Sequence, residues 1–150
     1  MTENRTVIVT DSSAHIPTHI VEALGIVVIP LWLLWDGESF RDEVDIHSDE
    51  YYQRLRSSGI LPTTSQPSSV EFKLLFEKLS RDYDSIIAIL VSSKISGTVA
   101  SALAAIEELP TMDIHVVDTL TTAMGLGLIV EDAARSAKED HPVKLYGKLS

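Results

Sequence analysis

Thr6-Val-Ile-Val-Thr-Asp-Ser-Ser-Ala14 is the stretch on which the fold turns. Residues 6–10 are a short, mostly β-branched run, and a polar, turn-forming segment follows without a gap. Such a run reads as a buried strand that delivers a polar loop at its carboxyl end. The same pattern recurs at residues 85–91 (SIIAILV) before the loop 92–96, and at residues 114–117 before Asp118-Thr119. Between these strands lie helical segments. Residues 16–24 have Pro17 in the first turn and Gly25 just past the end. Ser48-Asp-Glu50 opens a second helix that Gly59 closes. Ser68 and Glu71 have the S-x-x-E spacing of a capping box, ahead of Phe72, Leu75, Phe76 and Leu79 on one helical face. Residues 97–109 and 122–137 complete the set. Strands alternating with helices predict an α/β fold, a mostly parallel sheet with helices on both faces.

Two further segments carry expectations. Residues 26–34 read as one strand, with a turn at Trp35-Asp-Gly37 and a hairpin arm over 39–44. Residues 61–67 (LPTTSQP) read as irregular, because Pro62 and Pro67 restrict Leu61 and Gln66 and stiffen the loop. Trp32, Leu33, Leu34 and Trp35 are expected to pack in the sheet, with some free to line an apolar cavity.

Composition narrows the function. A chain of 150 residues that is 45% hydrophobic and 23% charged is about one globular domain. Twelve Lys and Arg against 22 Asp and Glu leave a formal charge of −10, which repels phosphate backbones and argues against nucleic acid and anionic membranes as partners. Cysteine is absent, which removes disulfide, thiolate and Cys-type zinc chemistry. Residues 1–6 hold no apolar signal-type core, and the longest apolar stretch, 25–35, is too short to span a bilayer and contains Pro30. The expectation is a cytoplasmic protein that is not membrane-embedded.

In open parallel sheets ligands sit beyond the carboxyl ends of the strands. Those ends here carry Asp11, Ser12 and Ser13, then Ser93, Ser96 and Gly97, then Asp118 and Thr119; Thr64 and Ser65 can reach the same edge. Hydroxyls dominate, Asp11 and Asp118 are the only carboxylates, and no histidine belongs to these loops. Such a rim suits holding an anion better than breaking a bond. With Ser96 at the N-cap of its helix, the free amides of the first turn face outward as a carboxylate or phosphate seat, and Gly97 leaves room for close approach. The plain alternative is that Ser96 only caps its own helix, worth about 1 kcal/mol. Other patterns are weaker. Gly125-Leu-Gly127 lacks the third glycine of a dinucleotide loop, Val130 standing there, so its glycines are expected to permit close packing. His15 and His19 straddle a helix start without a third ligand. Ser93-Lys94 lacks a nucleophile elbow and a positioned histidine. No cofactor and no metal is expected.

Together these residues resemble the DegV family of bacterial fatty-acid-binding proteins. The resemblance rests on Thr10-Asp-Ser-Ser-Ala14, Pro62-Thr-Thr-Ser-Gln-Pro-Ser68, Ser92-Ser-Lys-Ile-Ser-Gly-Thr98, and Val116-Val-Asp-Thr119 followed by Gly125-x-Gly127, in that order. The pair His15-Ile16, where Asp-Leu is more usual, and Thr119 in place of a common Ser are minor departures. The resemblance implies a long-chain fatty acid whose carboxylate is held by the hydroxyls of Thr64 and Ser96, assisted by the Gly97 amide. Some family members present the bound acid to a separate fatty acid kinase, so the protein would be a carrier without catalysis of its own. The family normally has a second domain, with the acyl chain between the two. Residues 1–137 are therefore expected to be the N-terminal domain and residues 138–150 a tail or the start of a linker to a missing second domain. Such a domain alone is expected to hold lipid weakly. The competing expectation is an enzyme or phosphotransfer-type domain acting on a small phosphorylated or carbonyl substrate at the same site. A closed polar pocket would favour that alternative, and an apolar groove leading from Ser96 the fatty acid.

Overall fold

The computed structural model describes residues 4–139 and the backbone of residues 148–149. Its main sheet contains β1 (Thr6–Asp11), β2 (Val27–Ile29), β6 (Ser85–Leu90), β7 (Asp113–Asp118) and β8 (Lys148–Leu149), in the order β2-β1-β6-β7-β8. The first four strands are parallel, and β8 lies antiparallel on β7. Burial on both faces explains why β1 and β6 are buried almost throughout rather than at alternate residues, with unbroken apolar runs at residues 7–9 and 86–90. On one face Val7, Val9, Ala88 and Val116 pack against Phe72 and Phe76 of α3 (Ser69–Leu79) and Ala102 and Ala105 of α4 (Thr98–Glu107). On the other, Ile8, Ile89 and Val117 pack against Leu126, Val130 and Ala133 of α5 (Ala123–Lys138), with Val21 and Leu24 of α1 (Thr18–Leu24) beside them. The α/β architecture with helices on both faces is the one expected.

The segment 26–34 is not one strand. Pro30 has no N–H to donate and divides it: β2 stays in the main sheet, whereas β3 (Trp32–Trp35) leaves for a second, antiparallel sheet, where it lies between β4 (Glu38–Arg41) and β5 (Thr63–Ser65). The crossing is pinned where Leu31 N donates to the Ser12 hydroxyl at 3.0 Å. Asp36 and Gly37 both have positive φ, 49° and 78°, giving the two-residue hairpin that feeds β4 (Glu38–Arg41). The loop 61–67 also departs from expectation. Thr63–Ser65 forms β5 and pairs with β3, because Pro62 and Pro67 lie just outside the three paired residues and cost no ladder bond. Leu33, Trp35 and Ile46 make a small core of their own under α2 (Ser48–Ser58), with Tyr51 edge-on to Trp35 at 5.3 Å and the Trp35 indole donating to Ile60 O at 3.0 Å.

The expected capping box is present: the Ser68 hydroxyl accepts from Glu71 N, and the Glu71 carboxylate accepts from Ser68 N at 2.6 Å. Glu71 also accepts the Trp32 indole N–H at 3.0 Å, which ties the small sheet to the start of α3. Gly127 packs as its sequence position implied. A Cβ there would lie 2.9 Å from the Ala14 carbonyl oxygen, so α5 meets the 3-10 turn Ser12–Ala14 backbone to backbone.

Candidate functional site

The strand order reverses between β1 and β6, which makes their carboxyl ends the natural ligand position of the sheet. Asp11 braces that point. One of its carboxylate oxygens accepts from the Ser13 amide at 2.9 Å and from the Ser13 hydroxyl, and the other accepts from Val91 N at 2.9 Å. Asp11 is fully buried, and these bonds join the loops after β1 and β6. Ser12 holds Leu31, as described, and its hydroxyl also faces the Asp42 carboxyl. Ser93 is held through Asp118: its amide donates to one carboxylate oxygen at 3.1 Å and its hydroxyl to the other. Leu120 N donates to the same carboxylate at 3.2 Å. Asp11, Ser12 and Ser93 thus fix the loops that surround the site.

A cavity of about 440 Å³ opens at this edge. Thr64, Ser65 and Gln66 line it from β5 and its exit, and Ser96 lines it from the loop before α4. Leu31 and Leu33 contribute apolar surface. Thr64 is opposite Leu33 in the antiparallel register, so the two side chains share a face. The β5 exit and the α4 start touch directly. A Cβ on Gly97 would lie 2.9 Å from the Gln66 side-chain carbon Cδ, so glycine leaves room for that amide. The helix begins one residue later than expected: Gly97, not Ser96, is its N-cap, and it offers no side-chain cap. Ser96 serves the turn from one position further out. Its hydroxyl accepts from Thr98 N at 3.2 Å and bonds the buried Thr98 hydroxyl at 2.8 Å.

Asp42 and Glu43 also line this cavity, and sequence reasoning missed them along with Gln66. Burial pushes the Asp42 carboxyl above its ordinary range, opposed by the hydrogen bond with Ser12. Glu43 is held in a left-handed conformation, φ 63°, and accepts from the Ser48 hydroxyl at 3.0 Å while His47 Nδ1 lies at 3.6 Å. Among the described residues that line the cavity there is no Lys or Arg. A neighbouring, more apolar cavity of about 490 Å³ is lined by Ile16, Val21, Val28 and Pro30 and shares Asp42 and Glu43 with the first. Gln66 stands inside the quoted TTSQP motif and could have been singled out there. Asp42 and Glu43 follow a hairpin, and no spacing signal marks them. Among the described residues no group of three metal-ligating side chains occurs, and no helix is long and apolar enough to cross a membrane.

Comparison with known proteins adds to this geometry. The family model described as "Uncharacterised protein, DegV family" matches residues 5–145. A DegV domain-containing protein of Caldanaerobacter subterraneus subsp. tengcongensis is 44% identical over 132 residues, covering 88% of this chain and 47% of that protein. Protein DegV of Bacillus subtilis is 36% identical over 131 residues, covering 87% of this chain and 47% of its own length. The chain thus spans about half the length of the curated relatives it matches. The crystal structure of Bacillus subtilis DegV, described as a fatty acid binding protein, superposes with a TM-score of 0.86 at 34% identity, over 91% of this chain and 49% of that one. A Thermus thermophilus DegV family protein, described by its fatty acid binding, gives 0.83 at 34% identity, over 93% and 49%. With a family match along nearly all of its length and the same fold in solved relatives, this chain belongs to the DegV family.

Proposed function

We propose that the chain binds a long-chain fatty acid as a carrier. The hydroxyls of Thr64 and Ser96 receive the carboxylate, Ser65 and the Gly97 amide assist, and Asp11, Ser12 and Ser93 keep the surrounding loops in place. The observation that carries this reading is that Thr64 and Ser96, distant in sequence, line one cavity beside Leu31 and Leu33 at the sheet's switch point. The descriptions of the Bacillus and Thermus relatives as fatty acid binding lend it support. A hydroxyl that accepts a bond from its own helix still has a proton to donate outward, so the bracing role of Ser96 and its ligand role are compatible.

The energetics divide the work. Each methylene withdrawn from water contributes about 0.8 kcal/mol, so a long acyl chain can supply on the order of 10 kcal/mol before ordering costs. Hydrogen bonds to a carboxylate add about 1.5–3 kcal/mol each. The tail therefore sets affinity and the head sets orientation. Presentation of the bound acid to a fatty acid kinase, with no catalysis by this chain, fits a site built from hydroxyls. The acidic wall of Asp42 and Glu43 weighs against a small phosphorylated substrate.

Organic extraction of the purified chain followed by mass spectrometry, together with thermal melting in added palmitate, tests the proposal. A rise in Tm that grows with palmitate concentration is expected, with fatty acid in the extract at well below one molecule per chain, as a weakly holding domain would retain it. Absence of both would overturn it.

A further inference from the structure

We propose that Asp42 and Glu43 are specificity-determining residues of the cavity, admitting an amphiphile whose head carries one negative charge and disfavouring one that carries two. This rests on the fatty-acid reading and deepens it. The seat at Thr64, Ser65 and Ser96 is made of neutral donors, and Asp42 and Glu43 line the same cavity. No Lys or Arg among the described lining residues offsets their charge; the basic side chains that line it are His15 and His47, the latter with Nδ1 3.6 Å from the Glu43 carboxylate. Arg41, adjacent in sequence, is engaged elsewhere, bonding both oxygens of Asp45 at 3.1 Å.

The two carboxylates are held in position. Asp42 N donates to Leu31 O at 2.9 Å, and Glu43 N donates to Ile46 O at 3.0 Å. The Ser48 hydroxyl fixes the Glu43 carboxylate, and Ser12 faces that of Asp42. A preorganised negative wall repels any anionic head, and the repulsion grows with each charge the head adds. Neutral hydroxyls and amides can hold a carboxylate against it, whereas a phosphate monoester, close to doubly ionised at pH 8, meets about twice the repulsion for the same set of donors.

The test is titration calorimetry of this chain at pH 8 with decanoate and with decyl phosphate, matched in tail and kept below micelle-forming concentrations. The intact chain is expected to favour decanoate by about tenfold. The double variant Asp42→Asn, Glu43→Gln should shrink that ratio by about threefold to tenfold, while Thr64→Ala weakens both ligands and leaves the ratio in place. If the double variant fails to fold, Glu43→Gln alone, at an exposed position, should give part of the same shift. An unchanged ratio in variants that still bind, or an intact chain that prefers decyl phosphate, overturns the charge filter alone. No saturable binding of either amphiphile overturns the fatty-acid reading and the filter with it.

Discussion

Thr64→Ala and Ser96→Ala should separate ligand binding from scaffold, because the two hydroxyls differ in what else they hold. Among the described residues no hydrogen bond engages the Thr64 hydroxyl, and Thr64 sits exposed on the edge strand β5. Its removal costs only edge-strand propensity, about 0.5 kcal/mol. Ser96 accepts from Thr98 N and bonds the Thr98 hydroxyl, which is fully buried. Its removal leaves a helix-end amide and a buried hydroxyl short of a partner, a cost of about 1–2 kcal/mol. For a chain of this size that lowers Tm by about 2–8 °C, against at most about 2 °C for Thr64→Ala. Each variant also loses one hydrogen bond to the ligand carboxylate, about 1.5–3 kcal/mol, or roughly 10-fold to 150-fold in affinity. Scanning calorimetry of the free chain reads the first effect, and displacement of a fluorescent fatty acid reads the second. A Thr64→Ala chain that keeps full affinity refutes the assignment of the seat. Equal destabilisation by the two variants refutes the bracing role of Ser96.

The scaffold offers further checks. A Cβ at Gly127 meets the Ala14 carbonyl oxygen at 2.9 Å, which cannot swing away, whereas one at Gly125 clashes only with the rotatable Thr121 hydroxyl, the Thr121 Cβ and Cγ2 lying at an ordinary 3.5 Å. Both alanines gain about 1 kcal/mol of helix propensity, so Gly125→Ala should be the more stable by about 1–2 kcal/mol in urea unfolding; equal stability would contradict the close approach. Among the described residues the fully buried Thr10 hydroxyl has no hydrogen-bond partner, so Thr10→Val should raise stability by about 1 kcal/mol, and a loss would show that the hydroxyl is satisfied. The Ser85 hydroxyl, donating at 2.6 Å with His115 also in contact, holds the Asp113 carboxyl below the usual carboxylate range. Because the folded pKa is lowered, the stabilisation is present above about pH 4 and is lost as pH falls through the lowered value. The stability gap between the intact chain and Ser85→Ala should therefore be wider at pH 7 than at pH 2, and a gap independent of pH would contradict this.

Elements set by local pattern were legible in the sequence. The β-branched runs at Thr6–Asp11 and Ser85–Leu90 and the Ser68–Glu71 capping box each carry their signal within a few residues. What was not legible depended on partners distant in sequence. An apolar run cannot announce that Pro30 sends Trp32–Trp35 into a different sheet, since Trp35 is buried by Ile46 and α2 rather than by its sequence neighbours. Three residues between two prolines show no strand period, and Thr63–Ser65 becomes a strand because β3 presents an open edge. The hydroxyls proposed for the site are singled out by their place after strands and before helices. The acidic wall is not, because Asp42 and Glu43 reach the cavity only once the second sheet has folded back.

A crystal structure of this chain grown with palmitate is the most direct measurement of all. The carboxylate should lie within about 2.5–3.2 Å of both the Thr64 and the Ser96 hydroxyl oxygens, with the tail leaving along apolar surface. A palmitate whose carboxylate touches neither hydroxyl would contradict the assignment.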